Sequence, residues 1–176
     1  KELLNFLKKD LKSDYLPIIA EDLGVITKDV EILRDNYELP GMKILQFAFD
    51  GNENNPYLPK NIEKENWVVY TGTHDNATST SWWDYLDITI KNHIKDKYKY
   101  SNDPSWNLME IGMSTKANLF ISPIQDILSL DDSSRLNTPG TITNNWRWKL
   151  NQTLDEIDMN LKKYSDLGNN YGRLSN

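Results

Sequence analysis

The sequence predicts an α/β fold in which about four parallel strands alternate with helices. Four apolar stretches, at residues 16–20, 44–49, 67–70 and 118–122, are continuous rather than alternating, as in strands buried on both faces of a parallel sheet. Segments with helical periodicity separate these stretches, so each connection is predicted to be a βαβ unit. The 176 residues are enough for one domain with a sizeable core.

The chain length limits how these units can be arranged. A closed eight-stranded barrel needs about 250 residues, whereas four strand–helix units fit within 176. Half of a barrel is the natural arrangement, and an open, doubly wound four-stranded sheet is the alternative that periodicity does not exclude. We expect a single domain over 1–176, with strand–helix units and a loop up to about residue 150 and a terminal helix and polar tail over 151–176.

Helices are predicted from the spacing of apolar residues. Residues 1–13 place their apolar side chains on one face. A second helix begins after Thr27, a favourable N-cap residue, carries Asp29 and Glu31 in its first turn, and ends before Pro40. Three further helical patterns cover roughly residues 79–100, 105–116 and 153–167.

Composition excludes several classes of partner and site. The net charge of −6 argues against nucleic acid or an anionic membrane, and no apolar run approaches the about 18 residues of a membrane span. The absence of cysteine excludes disulfides and Cys-ligated metal sites, and it fits a cytoplasmic location. The first residue is lysine rather than methionine and the chain opens directly into a helix, so we expect an incomplete protein.

A carboxylate follows each predicted strand within a few residues. These acids are Glu21, Asp50, Asp75 and Asp126. Because functional groups of α/β folds gather beyond the carboxyl ends of the strands, we expect the four acids to share a cleft. The alternative for any one of them is an ordinary turn residue or helix cap.

Paired carboxyl groups suit the transfer of glycosidic bonds. In a retaining mechanism they lie about 5–5.5 Å apart, one as nucleophile and one as acid and then base. Glu21 has the reach for the acid/base role, although a solvated acid at a strand end is the alternative. Six Trp and nine Tyr against four Phe are compatible with a sugar-binding cleft.

His74 and Asp75 form the second candidate site. An imidazole and a carboxylate side by side after a buried strand can bind sugar hydroxyls as donor and acceptor, and the carboxylate favours positive charge at an anomeric carbon. A metal site is the alternative, but His93, the other histidine, lies in a Lys-rich helical segment, so we expect no metal. No nucleophile elbow or phosphate-binding Gly-rich loop is present.

Four segments resemble the 4-alpha-glucanotransferase (amylomaltase, or disproportionating enzyme) family, in family order over roughly residues 15–150. They are 19–27 (IAEDLGVIT), 39–49 (LPGMKILQFAF), 70–76 (YTGTHDN), and 135–140 (RLNTPG) followed by 145–150 (NWRWKL). The resemblance implies the C-terminal half of a (β/α)8 TIM barrel of the alpha-amylase type, a retaining mechanism on alpha-1,4-glucans such as maltodextrins, and no cofactor.

The resemblance also implies residue roles. Glu21 is the acid/base, Asp75 the transition-state stabiliser, and His74 a sugar ligand of the donor subsite. Asp50 and Asn137 are further sugar contacts, and Phe47 shapes the acceptor side. The nucleophilic aspartate of the family and its neighbouring arginine lie on the strand before the Glu21 segment, and this sequence begins after that strand, so we expect an N-terminal part of the same enzyme as a partner.

Two other functions remain open at this point. A hydrolase of the wider alpha-amylase group shares a His-Asp pair after the corresponding strand. A non-catalytic, glucan-binding remnant is compatible with the Trp-rich composition, but such a module does not need Glu21 and Asp75 in catalytic motifs.

Overall fold

The described part of the chain is built around a three-stranded parallel sheet. A computed structural model describes residues 1–98 and 101–173. The strands are β1, Gly41–Ile44, β2, Trp67–Tyr70, and β3, Leu119–Ile121. The sheet order is β1-β2-β3 and both pairings are parallel, which confirms the α/β class and the parallel strands.

The strand register aligns the carboxyl ends of the strands. Ile44 pairs with Tyr70, and Tyr70 pairs with Ile121, so the last residues of β1, β2 and β3 lie in one row. Val68 and Val69 of the central strand are both buried, on opposite faces of the sheet, as the continuous apolar pattern requires. Residues that follow the strands therefore emerge at one edge.

The predicted strand at residues 16–20 does not join the sheet. The prediction of about four strands was therefore wrong for the described residues, which contain three. The segment is extended, and Ala20 N–H donates to Pro40 C=O at 2.8 Å, just before β1. Pro17 has no N–H to donate, and Ile18 N–H donates locally to Leu16 C=O at 2.8 Å. Because Pro17 and Ile18 have no N–H available for pairing, residues 16–20 form no regular hydrogen-bond ladder with β1.

The predicted strand at 44–49 is also displaced. Extended pairing ends at Ile44, and the chain turns into a 3-10 helix at Leu45–Phe47. Leu45 and Ala48 are almost completely buried in that turn, so the run is apolar because it fills the core and not because it is extended.

The described residues contain seven α-helices. They are α1, Glu2–Leu11, α2, Lys28–Asn36, α3, Ser79–Tyr85, α4, Ile88–Lys97, α5, Pro104–Met113, α6, Ile124–Ile127, and α7, Leu154–Asn170. None of them lies between β1 and β2, where the chain forms only 3-10 helices, so the prediction of a βαβ unit was wrong for that connection. The predicted helix at 79–100 is divided because Leu86 is extended and Asp87 caps α4, its Oδ1 accepting from Thr89 N–H at 2.7 Å. Residues 99–100 of that prediction lie outside the described residues.

Two clusters of buried side chains hold these layers together. The larger packs the sheet against α3, α4 and α5, around Leu45, Val69 and Ile111. The smaller joins α5, α6 and α7 through Trp106, Met109 and Ile127. In contrast, α1 has no buried residue, and its apolar side chains are largely exposed. No helix of the described residues is both long and apolar enough to span a membrane.

Candidate active site

An open groove of about 320 Å³ lies at the carboxyl ends of the strands. Tyr70 and Ile121, the last residues of β2 and β3, form part of its wall. Glu21, His74 and Asp75 also line it. The structure therefore brings together the two carboxylates and the histidine that the sequence singled out.

Residues 72–78, between β2 and α3, form a short loop that carries His74 and Asp75 and that we call the 72–78 turn. Asn76 Oδ1 accepts from both the N–H and the Oγ1 of Thr73, each at 2.8 Å, and so closes the turn. A Cβ at position 72 would lie 2.8 Å from Gln46 Nε2, which donates to Ala77 C=O at 2.9 Å, so a larger residue there would displace that side chain and disturb its hydrogen bond. The shape of the 72–78 turn is thus fixed by local hydrogen bonds and by packing.

His74 and Asp75 form a polar pair on this turn. His74 Nε2 lies 3.3 Å from Asp75 Oδ1, and each side chain is about half exposed. Asn137 Nδ2 donates to the same Asp75 oxygen at 2.5 Å. A carboxylate has about four acceptor positions, so Asp75 retains acceptor capacity toward the groove. The pair can offer both a donor and an acceptor to a polyhydroxylated ligand.

A later loop, residues 135–146, holds the backbone of this pair. Arg135 Nη2 donates to Asp75 C=O at 2.7 Å, and Asn137 N–H donates to His74 C=O at 3.1 Å. The Trp146 ring packs on the His74 imidazole, with 4.9 Å between centroids. Sequence reasoning placed Arg135 and Trp146 in a family motif but gave neither a role, because nothing local links them to residues about 60 to 70 positions earlier.

Glu21 is placed by its neighbour. Glu21 itself is exposed at the groove, whereas the Asp22 carboxylate points the other way and accepts from Met42 N–H at 2.7 Å and from the Arg34 guanidinium. Arg34 in turn lies over the Trp67 ring, 4.6 Å from its centroid. Asp22 therefore ties the Glu21 segment to both β1 and α2, a role that the adjacent-acid pattern did not reveal.

Phe47 and Asp50 are not among the residues that line this groove. The Phe47 ring is partly exposed and meets Tyr57 edge-on, with centroids 5.6 Å apart. The Asp50 carboxylate accepts from Asn52 N–H at 2.9 Å. That backbone hydrogen bond, together with the Asn55 side chain, holds the pKa of Asp50 below its usual value. The expectation that Asp50 opens into the same cleft as Glu21 is not met here.

Asp126 corrects the expectation of four acids in one cleft. Its side chain is turned inward and only 2% exposed. One oxygen accepts from Thr71 Oγ1 at 2.6 Å and Ser79 Oγ at 2.7 Å, and the other accepts from Ser79 N–H at 2.8 Å. Burial raises the pKa of Asp126 despite these donors. The three donors lie behind the groove, which is why Asp126 faces the core.

The described residues contain no group of three or more His, Asp or Glu side chains arranged to hold a metal ion. His93, the second histidine, lies on α4 with its Nε2 4.0 Å from Glu53 Oε1. The polar side chains that line the groove are the carboxylates of Glu21 and Asp75, the His74 imidazole, and the hydroxyls of Tyr70 and Thr73.

Comparison with known proteins gives one consistent family. Residues 1–155 match the family model described as 4-alpha-glucanotransferase. The chloroplastic/amyloplastic 4-alpha-glucanotransferase of Arabidopsis thaliana is 45% identical over 163 residues, covering 90% of this chain and 28% of that protein. The 4-alpha-glucanotransferase of Synechocystis sp. is 43% identical, covering 98% of this chain and 34% of that protein.

Solved structures agree with the sequence relatives. The amylomaltase from Streptococcus agalactiae, in complex with acarbose, aligns with a TM-score of 0.90 at 31% identity, over 99% of this chain and 35% of that one. The chain therefore spans only between 28% and 35% of the length of these relatives. Since the family model covers most of the chain and the identity extends over nearly all of it, the chain belongs to the 4-alpha-glucanotransferase family.

Proposed function

We propose that this chain supplies the acid/base and the stabilising carboxylate of a 4-alpha-glucanotransferase. The enzyme transfers segments of maltodextrin to a glucose or maltodextrin acceptor by a retaining mechanism. The observation that carries the proposal is that Glu21, His74 and Asp75 line one groove at the carboxyl ends of parallel strands, in a chain of that family. The acarbose bound by the Streptococcus agalactiae neighbour also points to an oligosaccharide as the ligand of this groove.

Glu21 is the proton donor and then the proton acceptor in this proposal. Its exposed carboxyl group reaches into the groove from a segment anchored by Asp22. It protonates the glycosidic oxygen as the bond to the anomeric carbon breaks, and it later accepts a proton from the hydroxyl of the incoming sugar acceptor. General acid–base participation of this kind contributes about 10²–10⁴ in rate.

Asp75 and His74 hold the sugar ring in the donor subsite. The second Asp75 oxygen and the half-exposed imidazole accept and donate hydrogen bonds to ring hydroxyls. The negative charge of Asp75 lowers the energy of the positively charged transition state. Asn137 restrains this carboxylate and adds a further polar contact, whereas Asp50 and Phe47 act farther along the bound glucan.

The nucleophile belongs to a preceding part of the same enzyme. A retaining reaction needs an attacking carboxylate, and the relatives are about three times as long as this chain. We place the chain, as one domain over 1–176, in the C-terminal half of a (β/α)8 barrel in a cytoplasmic enzyme without a cofactor. The exposed Leu119 and Ile121 of β3, and Leu3 and Phe6 of α1, support this because they are apolar surfaces that the rest of a barrel would cover.

The test is incubation of the complete enzyme with maltotriose. A ladder of longer maltodextrins together with glucose is the expected product, whereas glucose and maltose alone would identify a hydrolase, and no turnover would identify a glucan-binding remnant. Glu21→Gln is expected to reduce transfer by about 10²–10⁴ while retaining acarbose binding. The matched control is Glu63→Gln at an exposed acid outside the groove. Normal disproportionation by Glu21→Gln would contradict the acid/base assignment.

A further inference from the structure

The buried carboxylate of Asp126 lies behind the groove and is not used by the proposed chemistry. It is held on α6, which immediately follows β3 and Pro123. Removing a carboxylate from water is costly unless it is hydrogen-bonded. The Asp126 side chain is only 2% exposed, so its contacts should explain why it is buried.

The contacts of Asp126 have a specific arrangement. Thr71 is the residue just before the 72–78 turn, and Ser79 is the residue just after it. A single oxygen, Oδ2, accepts from the hydroxyls of both, at 2.6 and 2.7 Å, and Oδ1 accepts from Ser79 N–H. One carboxylate thus joins the two ends of the turn that presents His74 and Asp75.

We propose that Asp126 is a positioning residue that fixes the two ends of the 72–78 turn and so aligns Asp75 with the bound sugar. The inference rests on the proposed function for its catalytic consequence. Asp126 is not among the residues that line the groove, so it acts through the turn.

The geometry of the turn explains why its ends must be fixed together. Thr73 and Asn76 close the turn internally, and the 135–146 loop holds Asp75 and His74 from outside. These bonds determine the shape of the turn. Gln46 Nε2 and Asp132 Oδ1 also hold it, through Ala77 C=O and Thr78 N–H, and Asp126 adds a link between its two ends through Thr71 and Ser79. A displacement of about 1 Å at a reacting group costs on the order of 10² in rate, so loss of the bridge should reduce turnover.

A simpler role for Asp126 is to satisfy one free N–H in the first turn of α3. That role accounts for the hydrogen bond from Ser79 N–H but not for the one from Thr71 Oγ1, because Thr71 directly follows β2 and lies outside α3. It predicts a loss of stability without any change in turnover per folded molecule. The two roles can therefore be separated experimentally.

The experiment uses the complete enzyme and compares Asp126→Ala and Thr71→Val with Asp103→Ala. Asp103 is a matched control, since it also caps a helix and accepts three hydrogen bonds, from Ser105 N–H, Trp106 N–H and Ser129 Oγ. Turnover of maltotriose is measured per folded molecule, with kcat and KM determined separately. Amide hydrogen exchange of residues 72–78 is measured in the same proteins.

Positioning predicts that Asp126→Ala and Thr71→Val lower kcat by about tenfold to a hundredfold, change KM by less than about threefold, and raise exchange across residues 72–78. Ser79→Ala keeps the hydrogen bond from Ser79 N–H to Asp126, so it should lower kcat less than Thr71→Val does. Asp103→Ala should destabilise the enzyme without changing kcat or that exchange.

Two outcomes would overturn the proposal. One is an unchanged kcat in folded Thr71→Val together with unchanged exchange of residues 72–78. The other is an equal effect of Asp103→Ala on both readouts. If the unmodified enzyme transferred no glucosyl units, the proposed function would fail, while the exchange measurement would still decide whether Asp126 fixes the turn. If Asp126→Ala does not fold, Thr71→Val and Ser79→Ala carry the same comparison.

Discussion

Replacing Asn137 by alanine isolates one hydrogen bond to the Asp75 carboxylate, which we propose as the stabiliser of the transition state. Asn137 makes two separate contacts with the His74–Asp75 pair. Its backbone N–H donates to His74 C=O at 3.1 Å, and its side-chain Nδ2 donates to Asp75 Oδ1 at 2.5 Å. Alanine keeps the backbone bond and removes only the contact with the carboxylate.

The size of the effect follows from the environment of Asp75. A hydrogen bond to a charged group contributes about 1.5–3 kcal/mol. Because Asp75 is 47% exposed, water replaces part of the lost bond, and the lower end of that range applies. About 1.4 kcal/mol corresponds to a tenfold change in rate, so we expect Asn137→Ala to reduce kcat/KM about tenfold.

Asn137→Asp should be more damaging than Asn137→Ala, although the aspartate side chain has nearly the shape of asparagine. It removes the donor and places a second carboxylate against Asp75 Oδ1, where like charges repel. The assay is initial-rate disproportionation of maltotriose by the complete enzyme, with Asn151→Ala, at an exposed position, as the matched control. If Asn137→Ala stays within about twofold of the unmodified enzyme, Asn137 does not restrain Asp75 and the reasoning is refuted.

Two further predictions concern the 72–78 turn and α7. Gly72→Ala should lower activity and cost about 0.5–1.5 kcal/mol of stability, because its Cβ would lie 2.8 Å from Gln46 Nε2 and would displace the side chain that donates to Ala77 C=O; unchanged kcat and thermal melting would contradict this. The hydrogen bonds from Thr153 N–H and Oγ1 lower the pKa of Glu156 from its ordinary 4.5. Glu156→Gln should therefore reduce the melting temperature near pH 7, and the difference from the unmodified protein should disappear as pH falls below 4.5 through the folded pKa; a difference that persists in acid would count against the capping box.

The helices were largely predictable because their signals are local. The capping box of Thr153 and Glu156 marks the start of α7, and the N-cap role of Asp87, which divides the helix predicted at 79–100, is visible in the sequence once the N-cap preference is applied. The strands were harder to delimit. An apolar run such as 44–49 looks the same whether it is extended or turns into a buried 3-10 helix, since burial and not conformation determines its composition.

The site was predictable only as far as the strand ends. The search for acids after apolar runs found Asp75, because residues that follow parallel strands share an edge. Glu21 also lines the groove, although the run before it, residues 16–20, does not join the sheet. The same search did not find Arg135, whose guanidinium donates to Asp75 C=O although the two residues are 60 positions apart in the sequence. It also did not find Asp22, whose carboxylate turns away from the groove. These contacts depend on tertiary packing, which the one-dimensional pattern does not contain.

Three acids that each follow an apolar run in the sequence have three different environments, and the environment indicates what each can do. Asp126 has its oxygens taken up by donors on the protein and is shielded from water, so its charge acts on the fold. Asp75 has one oxygen bound by Asn137 and is half exposed, so it is restrained and yet able to meet a ligand. Glu21 is exposed at the groove while its neighbour Asp22 supplies the anchor, which leaves the Glu21 carboxyl group accessible for the acid/base role that we propose for it. The number of donors facing each carboxylate, and not its place in the sequence, therefore distinguishes the three roles that we propose for these acids.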